Sequence, residues 1–152
     1  MRSKRGTLTT RIKDAVFAVY GDGMLDKIDS NAIPEEVHRW KHSRKTKAAY
    51  SKLFSPIVAN DPYDTYISRI LTKVWPKGDA EPRVLAFAIG VAQALLSHKY
   101  EKITIDEKIM KDRIEENLVK IYSQSCIVTK NCENFLQIKK FLKIFVKYFC
   151  IT

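Results

Sequence analysis

Glycine and proline are scarce, five of each in 152 residues, and cysteine occurs three times. Low Gly and Pro exclude collagen-like and low-complexity chains, which need several times that content. An odd cysteine count at the spacing Cys126, Cys132 and Cys150 fits neither a disulfide framework nor a cysteine zinc site, and points to an intracellular, reducing compartment, cytoplasm or nucleoid/nucleus. The longest near-apolar run, 84–96, falls short of the roughly 20 residues that span a bilayer. The basic start Met1-Arg2-Ser3-Lys4-Arg5-Gly6-Thr7 has no apolar stretch behind it and does not read as a secretory signal. No Gly-rich phosphate loop or nucleophile-elbow serine occurs, and the acids of 106–116 have no nucleophile paired with them, so the chain does not read as an enzyme and calls for no cofactor. Strand signals are almost missing; only 125–129 has a β-like composition. Acid is the remaining deficit: 17 Asp and Glu stand against 27 Lys and Arg, a net charge of +10, which favours polyanionic partners.

What is present is helical periodicity around a 45 % hydrophobic content, enough for a real core. Ile12, Ala15, Val16 and Val19 form one stripe of a helix over 10–20, ended by Gly21. Asp22 caps a short helix over 23–30 with Met24, Leu25 and Ile28 inward, and Asn31, tolerant of positive φ, makes the turn. Pro34 opens a third helix that buries Val37 and Trp40. After Pro56, Asp61-Pro62 restarts a helix over 62–74. Pro82 opens a helix over 82–98 whose apolar middle belongs in the centre of the fold. Thr104 and Glu107 suggest a capping box for 105–122. A last helix over 133–149 turns Phe135, Phe141, Phe145 and Phe149 inward. The expected fold is all-α: a bundle of about seven helices with an N-terminal helix-turn-helix. Residues 1–58 read as the helix-turn-helix unit and 59–152 as the bundle, as two domains or one, with Asn60-Asp61-Pro62 as the boundary.

Residues 38–52 hold six Lys and Arg, two histidines and no acid. On the third helix and just beyond it, His38, Arg39, Lys41 and His42 would present base or phosphate contacts, while Arg44, Lys45, Lys47 and Lys52 would reach the phosphate backbone. Arg2, Lys4 and Arg5 would add a flexible basic arm. The run Ala32-Ile33-Pro34-x-x-Val37-His38-Arg39-Trp40-Lys41, after Met24-Leu25-Asp26-Lys27-Ile28, resembles the N-terminal helix-turn-helix of insertion-sequence transposases over residues 12–45. The resemblance implies a DNA-binding role alone, since no integrase-type catalytic domain follows. Glu35 and Glu36 stand where that family places Ser, Thr or Lys; acids suit a helix N-terminus but repel phosphate.

The same helix carries Glu35-x-x-His38-x-x-x-His42, a carboxylate and two imidazoles along one face. The one other histidine is His98, so a full ligand set would need distant acids; surface polar residues are the expectation, and no metal is assigned. The preferred function is a non-enzymatic protein binding double-stranded DNA, transposase-derived or regulatory, with a homodimer expected if the site is palindromic. The alternative is a helical protein-interaction module, an adaptor or effector whose basic surface is incidental or meets an acidic protein or anionic membrane. RNA binding ranks third, because the aromatics sit at core spacing rather than on a stacking platform.

Overall fold

A computed structural model describes residues 4–78 and 80–128. The expected helix 133–149, Arg2, Cys132 and Cys150 lie outside the described residues. The order is α1 (Lys4–Tyr20), α2 (Pro34–Lys41), α3 (Arg44–Lys52), β1 (Pro56–Val58), β2 (Asp61–Thr65), α4 (Tyr66–Val74), α5 (Pro82–Leu96) and α6 (Glu107–Val128). Helix dominates, as the periodicity requires. No helix among the described residues is long and apolar enough to cross a membrane.

The core is one continuous cluster. Ile12, Val16, Leu53, Ile67, Ile70, Ala86, Ile89 and Leu96 are sealed from solvent, and residues on both sides of 58 contribute. The apolar α5 runs through the middle and packs along α6. Side chains of α6 fill the space over Gly90, where an added Cβ would lie 2.9 Å from Met110 Cε and 3.4 Å from Arg113 Cβ. Asn117, buried in the same seam, donates to Ala86 O (3.3 Å) and Gln93 Oε1 (3.2 Å).

Several local expectations give way to competing interactions. α1 begins at Lys4, because Leu8 extends the Ile12–Val16 stripe by another turn; Lys4 and Arg5 are therefore helical backbone rather than a flexible arm. Gly21 ends α1 at φ 74°. Residues 23–30 form no helix. Leu25 is buried, and the Trp40 indole donates to Asp26 O (2.7 Å), which takes that carbonyl out of any helical ladder. The turn that follows uses Asp29, whose Oδ1 accepts from Asn31 N (2.9 Å), and Asn31 has no positive φ. Within 12–45, α1 and α2 are thus joined by an irregular connection, without the short helix expected over 23–30.

A small antiparallel hairpin, β1–β2, pairs Pro56 with Thr65 and Val58 with Asp61. Pro56 starts one strand and Pro62 sits in the other; in a two-stranded sheet both strands are edges, the place where a residue without an N–H is tolerated. α4 therefore starts after Thr65, not at Pro62. Thr65 and Ser68 form a reciprocal capping box, and Arg69 grips Asp64 with two hydrogen bonds of 2.9 and 2.8 Å. At α6 the cap is Asp106, whose Oδ1 accepts from Lys108 N (3.0 Å), rather than a Thr104–Glu107 box. Residues 125–128, β-like in composition, continue α6 as helix.

Candidate functional site: a basic helix pair and a histidine–carboxylate cluster

α2 and α3 are joined with almost no linker. His42 is the C-cap of α2 and Ser43 the N-cap of α3. Ser43 Oγ donates to Trp40 O (2.7 Å) and accepts from Thr46 N (3.3 Å), so one hydroxyl closes the first helix and opens the second. Val37, Trp40, Thr46 and Ala49 face inward and lock the pair to the core. The outward face carries Arg39, Arg44, Lys45, Lys47 and Lys52, all exposed, and α3 contains no acid. Lys45 Nζ pairs with Asp26 Oδ1 (2.8 Å). No ion pair among the described residues engages Arg39, Arg44, Lys47 or Lys52.

Lys41 does not belong to this face. Its side chain is 0 % exposed, its ammonium donates to Ala94 O (2.7 Å) and lies 5.4 Å from the Tyr100 ring centroid. The i→i+4 geometry leaves the last carbonyls of α5 without backbone donors, and Lys41 supplies one. Desolvation brings its pKa down to about 7, with Glu101 opposing and Arg113 and Lys13 adding to the fall. Helix periodicity explains the inversion: position 41 follows Trp40 and Val37 onto the inner side of a short helix, so a lysine there turns inward as an amphipathic stem.

His38 and His42, one helical turn apart, converge on a residue from the α5–α6 connection. His38 Nδ1 lies 3.1 Å from Glu101 Oε2, and His42 Nε2 lies 2.9 Å from Glu101 Oε1. The two imidazole centroids are 4.2 Å apart, and His98 sets its ring edge-on to His42 at 5.7 Å. Glu101 is held below the usual carboxylate range, first by the hydrogen bond with His42 and then by that with His38. Glu101 is itself positioned by its neighbour: Tyr100 is buried, its hydroxyl donates to Thr104 O (2.5 Å) and accepts from Asp106 N (3.3 Å). Glu35, the carboxylate that shares the helix with both histidines, is exposed and stands outside the cluster. Glu101 was invisible to spacing because it lies 59 and 63 residues from its partners.

An apolar groove of about 860 Å³ runs between α1, α5 and α6, lined by Leu8, Val84, Phe87, Met110 and Ile114. Comparison with protein-family models, with curated proteins and with solved structures finds no match to this chain.

Proposed function

We propose that the protein is a non-enzymatic binder of double-stranded DNA that holds the phosphate backbone with the exposed face of α2 and α3. One observation supports this reading above the others. Arg39, Arg44, Lys47 and Lys52 stand on two rigidly joined helices, with no acid on α3 and no ion pair among the described residues to neutralise them. Phosphate contact needs fixed cations and little else, and it supplies most of the affinity in sequence-independent binding. Base reading is not required by this arrangement. Glu35 and Glu36 occupy the first turn of α2, and the helix that would brace it across a groove is absent from 23–30.

The test is binding of a fluorescent 20-base-pair duplex by anisotropy at several salt concentrations. Arg39→Ala, Arg44→Ala, Lys47→Ala and Lys52→Ala combined should weaken binding at least tenfold at low salt. Losing four phosphate contacts should also flatten the log–log salt dependence by about 3 to 4 units. Unaltered affinity in a folded quadruple variant refutes the reading. The apolar groove favours a second reading, a helical protein-interaction module. Under it the quadruple variant keeps its partner, while Phe87→Glu in the groove lining loses it.

A further inference from the structure

We propose that His38, His42 and Glu101 form a binding site for a divalent transition-metal ion of the zinc class, which latches α2 to the α5–α6 connection. This goes beyond the DNA-binding reading and does not depend on it.

The donor set is the first reason. Two imidazole nitrogens and one carboxylate oxygen, all within 4.8 Å of one another, suit Zn²⁺, Co²⁺ or Ni²⁺ and not Mg²⁺ or Ca²⁺, which take oxygen ligands. Zn–N and Zn–O bonds of about 2.0–2.2 Å in a tetrahedron put neighbouring ligand atoms roughly 3.3 Å apart. Each nitrogen already stands near that spacing from one Glu101 oxygen, 3.1 Å from Oε2 and 2.9 Å from Oε1, and with all three donors within 4.8 Å of one another an ion entering between them replaces these two hydrogen bonds.

The second reason is how the donors are carried. His38 and His42 sit at i and i+4, one in the last turn of α2 and one at its C-cap, the spacing by which one helix face offers two imidazoles to one ion. α2 is fixed by buried Val37 and Trp40, and Glu101 by buried Tyr100, so the three donors come from anchored elements. All three histidines of the chain gather here, with His98 against the edge of His42. A solvated surface gives no cause for such convergence. Exposed ion pairs add little to stability in water, so packing does not account for two imidazole centroids 4.2 Å apart on one carboxylate. Three protein ligands leave the fourth position of a tetrahedral ion to water.

The experiment uses the full-length, tag-free chain. Co²⁺ is titrated while the intensified visible absorption of the tetrahedral ion is followed, and Zn²⁺ is then added in competition. We expect one Co²⁺ per chain, displaced by Zn²⁺ and not by Mg²⁺. His42→Ala and Glu101→Gln should each weaken binding at least tenfold, and Glu35→Gln should change it less than twofold. His38→Ala, at a residue 62 % exposed, serves as the variant least able to disturb folding, and should also weaken binding at least tenfold. The proposal is overturned if no stoichiometric tetrahedral Co²⁺ signal appears. Equal affinity of wild type and the folded His38→Ala variant overturns it as well, since the ion would then be held elsewhere. Duplex binding by the quadruple Ala variant is a separate readout, so failure of either claim leaves the other standing.

Discussion

Lys41→Met should abolish most of the gain in stability that the protein shows on going from pH 6.5 to pH 9.5. In the folded chain the Lys41 amine is sealed from solvent, with one carbonyl to donate to, and its pKa falls to about 7 from 10.5. Between those two values the unfolded chain binds the proton and the folded chain does not. Stability therefore climbs with pH, at up to about 1.4 kcal/mol per pH unit. Over the whole interval this is on the order of 5 kcal/mol, and by pH 9.5 roughly two thirds of it has appeared. Below pH 7 both states are protonated and the gain is absent. Lys13, whose pKa is also lowered by burial, adds to the rise, while Tyr20 and Tyr100, both raised mainly by burial, reverse it above about pH 10 as the unfolded phenols ionise first. Methionine keeps the unbranched apolar stem and removes the titration. It also leaves Ala94 O without its donor, a constant loss of about 1–3 kcal/mol. Urea unfolding of both proteins, followed by tryptophan fluorescence across this pH range, separates the two effects: the offset reports the lost hydrogen bond, and the difference in slope reports the proton. Parallel stability curves would refute the burial of a neutral amine at this position.

Trp40→Phe keeps the ring in the core but drops the indole hydrogen bond to Asp26 O; it should lower stability by about 1–2 kcal/mol and speed amide exchange across 22–33, measured by hydrogen–deuterium exchange. Gly90→Val places two methyls where a single Cβ already lies 2.9 Å from Met110. Prying α5 from α6 there should cost about 1–3 kcal/mol in urea unfolding, and an unchanged midpoint would show that the seam is loose.

The long, strongly periodic elements were legible. Ile12-Ala15-Val16 in α1 and the apolar centre of α5 end up buried as their spacing predicts, and Pro34 and Pro82 open their helices. Short elements were decided by contacts that no window of sequence contains. The 23–30 segment has helical spacing, yet Trp40 claims Asp26 O from fourteen residues away. Asp61-Pro62 is a good helix start, but Thr65 and Ser68 make a better one and free 61–65 to pair with 56–58. The cluster at His38 and His42 was half legible: the spacing placed Glu35 and the two imidazoles on one helix face and read them as surface residues, whereas the tertiary fold brings Glu101 to the imidazoles.

Net charge is a weaker guide to a partner than the placement of charge, and this chain shows why. Arg11 donates to Val74 O (2.8 Å) at the end of α4, Lys13 to Ile103 O (2.6 Å), and Lys41 to Ala94 O in the last turn of α5. Each long basic side chain supplies a donor to a carbonyl at or beyond a helix end, where the regular ladder leaves acceptors free. Arg69 and Lys45 are held by Asp64 and Asp26. These five cations serve the fold, and the charge of +10 counts them all. At physiological salt a field is felt over roughly 8 Å, so distant lysines do not add to it. What an incoming polyanion meets is local density, and among the described residues Arg39, Arg44, Lys47 and Lys52 share one pair of helices with no acid on α3. A duplex that binds this protein should therefore lose affinity in proportion to changes on α2 and α3, and hardly at all when an equal number of charges is removed from Lys73, Lys77, Arg83 and Lys99, which are exposed but scattered.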